Sequence, residues 1–231
     1  AYNDTDGDAE GVSTFCWLRD GIPIAGANAQ TYTLVALDSG ATTTFEVTPV
    51  AATGTTTGMV VTSAGLAVIN SAPVASAVSI TDDNGGSVVV GDSLTGNYSY
   101  SDADGDLEDV SIFRWLRGGI PIAGAISQTY TLVALDDGTT ITFEVTPDAA
   151  TGTTPGSAVV SPTGLTVVNS APVASAVSIT DDNGGSVVVG DSLTDNYTYS
   201  DVDGDLEGDS TYRWLRDGTP IAGATASTYT L

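Results

Sequence analysis

The chain of 231 residues contains no histidine and no lysine, and it has a single cysteine. Five arginines are its only cationic side chains, against 29 Asp and Glu, which leaves a formal net charge of −24 at pH 7. Each shortage closes off a class of function. Histidine and lysine being absent, the remaining acid and base candidates are carboxylates, which cluster on turns and recur with each repeat, fitting a structural role better than a paired acid and base, and the lone thiol, Cys16, has no base partner. The chain is therefore expected not to be an enzyme. Arginines this few cannot neutralise a phosphate backbone or an anionic lipid surface, so neither nucleic acid nor a membrane surface is an expected partner. No apolar run approaches the roughly 18 residues a membrane helix needs. One cysteine also rules out an intrachain disulfide.

What is present is 41% hydrophobic sequence, enough for a core, with Thr, Ser, Gly, Ala, Val and Asp dominant. Strand formers alternate with turn formers, a composition expected of an extracellular or cell-surface protein. Small secreted domains are commonly stapled by disulfides or metals. With the first excluded, the second gains weight.

Repetition is the strongest internal signal. Ser71 to Thr95 recurs letter for letter as Ser170 to Thr194, and Trp17, Trp115 and Trp214 are spaced by 98 and 99 residues. A period of this length is one domain per repeat. The expected division is a repeat lacking its first strands over 1–70, a complete repeat over 71–169, and a repeat lacking its last strands over 170–231. The chain opens in mid-pattern, so a longer natural protein, or completion of the open ends by neighbouring chains, is expected.

The complete repeat reads as all-β, a β-sandwich. Strands are expected at 74–81, 87–90, 94–101, 112–117, 120–123, 129–133, 139–147 and 158–169. Turns fall at Asp82-Asp83-Asn84-Gly85-Gly86, Gly118-Gly119 and Asp136-Asp137-Gly138. No helix is expected. The recurring tryptophans read as core anchors rather than ligand-stacking residues.

Three acidic loops precede the tryptophan strands: Asp4, Asp6, Asp8 and Glu10; Asp102, Asp104, Asp106 and Glu108; Asp201, Asp203, Asp205 and Glu207. Four carboxylates in seven residues repel one another unless a cation sits among them. Alternate residues converge if the chain turns, which Gly105 permits, and calcium takes six to eight oxygens. Ca²⁺ is the expected cofactor. The pattern is not an EF-hand, because its glycine comes fourth and no glutamate closes it at the twelfth position. The competing reading is a solvated acidic turn. The junctions Asn70-Ser71-Ala72-Pro73 and Asn169-Ser170-Ala171-Pro172 are expected at the same pole as the loops. The turns bearing Asp82 and Asp83, and Asp181 and Asp182, are expected at the opposite pole, facing the next repeat. They are added to the candidate metal ligands, with a plain hairpin turn as the alternative.

The residues Phe113-Arg114-Trp115-Leu116-Arg117-Gly118-Gly119, followed by Ala134-Leu135-Asp136-Asp137-Gly138 and Phe143-Glu144-Val145, resemble the tryptophan strand and the following corner of immunoglobulin-like domains. Over its whole length the chain is similar to bacterial immunoglobulin-like repeats found in tandem on large surface and secreted proteins. It departs from true immunoglobulin domains in lacking a cysteine pair. The resemblance implies tandem immunoglobulin-like β-sandwiches of about 99 residues. It also implies a cadherin-like, calcium-stiffened spacer or stalk of an adhesin or surface filament, with neighbouring repeats as partners. Two alternatives stand beside it: a self-assembling fibre of identical chains joined by strand exchange, and a carbohydrate-binding accessory module with a glycan receptor. Cys16 takes the place of Arg114 and Arg213; it reads either as an exposed thiol joining two chains or as a neutral variant. Asn3, Asn97 and Asn196 match the short N-glycosylation acceptor.

Overall fold

The computed structural model describes residues 1–231. It is all-β, with two single-turn 3-10 segments, Ala36–Asp38 and Ala134–Asp136, and no α-helix. No helix is long and apolar enough to cross a membrane. The first repeat supplies β1 (Thr14–Arg19), β2 (Ile22–Pro23), β3 (Thr42–Thr48), β4 (Val61–Thr62) and β5 (Leu66–Ala67), which form one sheet around β3. The middle repeat supplies β6 (Val74–Asp82), β7 (Ser93–Ser101), β8 (Ile112–Arg117), β9 (Ile120–Pro121), β10 (Thr129–Thr131), β11 (Thr140–Thr146), β12 (Val159–Val160) and β13 (Leu165–Thr166). The third supplies β14 (Val173–Asp181), β15 (Ser192–Ser200), β16 (Leu215–Arg216), β17 (Thr219–Pro220) and β18 (Thr228–Thr230).

The middle repeat has two sheets. One orders its strands β10-β7-β6, and the other β12-β11-β8-β9 with β13 also on β11. They meet face to face over Phe143. The ring of Phe143 on β11 packs so close to Gly96 on β7 that any Cβ there would run into it. Trp115 lies 5.0 Å from Phe143 and stacks on Tyr130 of the opposite sheet at 5.7 Å. Its indole N–H donates to the Ser127 carbonyl at 2.9 Å. Trp115, Phe143, Leu94 and Ile141 are completely buried. The tryptophan is thus the core anchor its alternating strand predicts.

Three expected strands differ. Residues 87–90 form no strand, because the Val89 N–H is taken by the Asp92 side chain at 2.9 Å rather than by a neighbouring ladder. The expected strand 158–169 is broken into β12 and β13. Pro162 cannot donate to a ladder, and the Ser161 hydroxyl accepts the Phe143 N–H between the two pieces. In β6 the buried residues are Ala75 and Val78, not alternate positions. Ala77 adopts φ 51°, and the equivalent Ala176 stands at φ 50° where the β14–β15 register shifts between Ser175 and Ser178. One extra residue in a bulge resets which side chains face inward.

Two compact units are present. The first comprises Ala1–Val78, Tyr98–Ile112 and Val145–Val159; the second comprises Ser79–Asn97, Phe113–Glu144 and Val160–Leu231. The division runs through the middle repeat, not at the repeat junctions. Each junction therefore lies inside a unit, as does the acidic loop beside it.

Candidate metal centre

Each acidic loop is wound by its first aspartate. Asp102 Oδ1 accepts the backbone N–H groups of Asp104 (2.8 Å) and Asp106 (3.3 Å). This is the short local bonding by which aspartate imitates a backbone turn. Gly105 completes the turn at φ +83°, a conformation that L side chains rarely adopt. The same bonds recur from Asp4 to Asp6 and Asp8, and from Asp201 to Asp203 and Asp205, with Gly7 and Gly204 at φ +82° and +85°. Tyr100, at the end of β7, donates its hydroxyl to the Asp106 carbonyl at 3.2 Å, and Tyr199 does the same for Asp205.

In the middle loop this winding brings carboxylate oxygens of Asp102, Asp104 and Asp106 within 4.8 Å of one another. Calcium–oxygen bonds are about 2.3–2.6 Å, so two oxygens on one ion stand at most about 5 Å apart. The spacing suits such an ion, and hard carboxylate oxygens are the donors it prefers. Asp102 Oδ2 is buried with no hydrogen-bond partner, as are Asp201 Oδ2 and Asp203 Oδ1 in the third loop. Unpaired buried carboxylate oxygens are costly, and a cation would satisfy them. No arginine serves: the chain's ion pairs are Arg19–Asp38, Arg114–Glu144 and Arg117–Asp136.

The preceding repeat reaches into the loop. Asn70 Nδ2 donates to Asp106 Oδ2 at 2.7 Å, and the Ser71 N–H donates to Asp104 Oδ2. Asn169 and Ser170 bond Asp205 and Asp203 identically, at 2.8 and 2.5 Å. Asn70 is itself held. Its amide bonds the Ser39 hydroxyl at 3.1 Å, its side-chain oxygen accepts the Thr153 N–H, and its carbonyl accepts the Thr153 hydroxyl at 3.0 Å. The Thr151 hydroxyl donates to Asp106 Oδ1, as Thr53 does to Asp8. Donation by Thr151 and Asn70 holds the Asp106 carboxyl below the usual carboxylate range. Burial, then the neighbouring Asp102 and Asp106, pushes the Tyr100 hydroxyl up.

The other candidate ligands are placed differently. Glu108 accepts the Tyr98 and Ser111 hydroxyls, both at 2.6 Å; Glu10 accepts Ser13, and Glu207 accepts Tyr197 and Ser210. Glu108 and Glu207 thus brace the loop's far end against β7 and β15, outside the converging trio, while Glu10 bonds the nearby Ser13. Asp82 Oδ1 accepts the Asn84 N–H of its own turn at 3.1 Å, with Oδ2 buried and without a hydrogen-bond partner, and Asp83 accepts the Thr95 hydroxyl of β7 at 2.8 Å. Asp181 and Asp182 repeat this. What stands against the next acidic loop is instead the 3-10 turn: a Cβ on Gly204 would lie 3.8 Å from that of Ala134, and one on Gly105 3.7 Å from that of Ala36.

The sequence places Asn70 and Asn169 at the junctions beside the loops but not their bonds to the loop carboxylates, and it does not single out Thr151 and Thr153. The recurrence of Asn-Ser-Ala-Pro at both junctions was the available signal. No protein-family model matches the chain, and no curated protein matches it.

Proposed function

We propose that this chain is a stretch of an extracellular array of tandem β-sandwich repeats, calcium-bound at the repeat junctions, that serves as a spacer or stalk in an adhesin or surface filament. The observation that carries the reading is the convergence of Asp102, Asp104 and Asp106 at the place where Asn70, the last residue of the preceding repeat, and Ser71 of the junction dock. An ion there would tie a loop of one repeat to the linker of the one before. The repetition of the same bonds at Asn169 and Asp205 supports a structural device present once per repeat rather than a single reactive site. The extracellular setting and the adhesive role rest on composition and on the resemblance of the tryptophan strand and its corner. Extracellular calcium modules bind at roughly 10⁻⁴–10⁻³ M. The test is a calorimetric calcium titration of the chain beside its Asp104→Ala, Asp106→Ala double variant. The variant is expected to lose the binding assigned to the middle loop while its near-ultraviolet spectrum, which reports the Trp115 packing, stays native. An unchanged titration would overturn the reading.

A further inference from the structure

The two repeat junctions share one docking geometry but differ in charge at one position. The repeat offset matches Ser39 to Asp137, as it matches Ala36 to Ala134, Asn70 to Asn169 and Gly105 to Gly204. At the first junction a Cβ on Gly105 would lie 3.7 Å from that of Ala36; at the second, one on Gly204 would lie 3.8 Å from that of Ala134. The Asn70 amide donates at once to the Ser39 hydroxyl at 3.1 Å and to Asp106 Oδ2 at 2.7 Å, which puts that hydroxyl at the rim of the acidic loop. Asn169 donates to Asp205 Oδ2 at 2.8 Å in the same way, but the place of the hydroxyl is taken by the Asp137 carboxylate. Asp137, Asn169 and the loop 201–205 all belong to the second compact unit.

Unpaired oxygens gather where this carboxylate enters. Asp137 Oδ1, Asp201 Oδ2 and Asp203 Oδ1 are buried with no hydrogen-bond partner, whereas at the first junction only Asp102 Oδ2 is left so. Asp203 is 8% exposed, and while its Oδ2 takes the Ser170 N–H at 2.5 Å, its Oδ1 is satisfied by nothing in the protein. None of the chain's ion pairs reaches these residues. A further carboxylate beside three others adds repulsion, and its unpaired buried oxygen adds a desolvation cost, unless a cation sits among them. Calcium affinity is tuned by the number of charged ligands. Building on the calcium reading above, we propose that Asp137 is a cation ligand that the middle repeat supplies to the loop of the third. The second junction therefore binds calcium more tightly than the first, where Ser39 offers only a neutral hydroxyl.

The test follows the amide signals of Gly105 and Gly204 by nitrogen–proton NMR as calcium chloride is added to the 231-residue chain and to its Asp137→Ser and Ser39→Asp variants. Each substitution installs the residue that the other repeat carries at the same place, so both variants are expected to fold. Gly204 is expected to reach its half-shift at about tenfold less calcium than Gly105. Asp137→Ser should raise the Gly204 midpoint to near that of Gly105, and Ser39→Asp should lower the Gly105 midpoint. In EDTA, the amides of Ser170 and Ala171 should exchange more slowly in Asp137→Ser than in the unaltered chain, because a repulsion has been removed; in saturating calcium they should exchange faster. Faster exchange in EDTA would make Asp137 a structural partner only and overturn the assignment. If both glycines titrate but the Gly204 midpoint is unmoved by Asp137→Ser, the inference falls and the calcium reading stands. Signals that ignore calcium altogether overturn both.

Discussion

Asp38 and Asp136 are completely buried, in a protein with few cations. Asp136 accepts the Arg117 guanidinium at 2.6–2.7 Å, the Tyr130 hydroxyl at 2.8 Å and the Val133 N–H at 2.8 Å; Asp38 holds Arg19, Tyr32 and Val35 in the same way. Burial pushes the Asp38 carboxyl up, but the Val35 N–H, Arg19 and Tyr32 together hold it below its ordinary value. Burial and the Asp136 bond push the Tyr130 hydroxyl up to about 12. Because the folded pKa of Asp38 lies below the unfolded value near 3.9, its stabilisation is complete above that pH. It is lost as the pH falls through the folded value. Asp38→Asn is expected to cost on the order of 3 kcal/mol at neutral pH, by leaving Arg19 without its partner. In urea melts the gap from the unaltered chain should narrow below about pH 4. At the same scale, Gly96→Ala puts a methyl group into the Phe143 ring. A loss of roughly 1–3 kcal/mol is expected in the same melts.

The acidic loop behaves as an element because three kinds of bond share it. Asp102 winds it, Tyr100 and Glu108 brace it to the sheet, and Asn70 and Ser71 tie it to the preceding linker. Asn70 is the residue on which the junction turns, bonding Ser39, Asp106 and Thr153 at once. Asn70→Ala should release this junction while leaving both neighbouring cores intact. The expected result is faster amide exchange confined to residues near 70–72 and 151–153, with a loss of about 1–3 kcal/mol from the unsatisfied groups it leaves. Exchange unchanged at those amides would mean that the linker is held by something else. The bulge at Ala77 is a second element-scale device: it turns Ala75 and Val78 inward together, which strict alternation could not do.

For the whole molecule, the net charge of −24 sets the conditions. Self-repulsion of that size weakens the folded state unless cations gather where the carboxylates are densest. If calcium occupies the loops, each site at a hundredfold excess over its dissociation constant adds about 2.7 kcal/mol. That is a large part of a domain's roughly 5–15 kcal/mol. Removing calcium with EDTA should therefore lower the melting temperature by several degrees, and monovalent salt at matched ionic strength should not restore it. A melting curve unmoved by EDTA would leave the loops as hydrogen-bonded latches alone. The two compact units each enclose one junction, so the loss is expected in both.

The sequence by itself determined the all-β class, the repeat of about 99 residues and the tryptophan anchors. Those follow from local alternation, turn chemistry and exact recurrence, which need no knowledge of distant contacts. It also marked Asp102, Asp104 and Asp106, because alternate carboxylates around a glycine converge through the loop's own backbone. The bonding of Glu108 and Asp83 was decided by tertiary structure, since hydroxyls of Tyr98 and Thr95 on β7 take their oxygens. So was the buried pairing of Asp136 with Arg117, 19 residues away, which reads in sequence as a turn aspartate and a strand arginine. The need for glycine at position 96 is likewise not legible in the strand pattern. Only the packing of Phe143 against β7 reveals it, because steric exclusion is a property of two segments brought face to face.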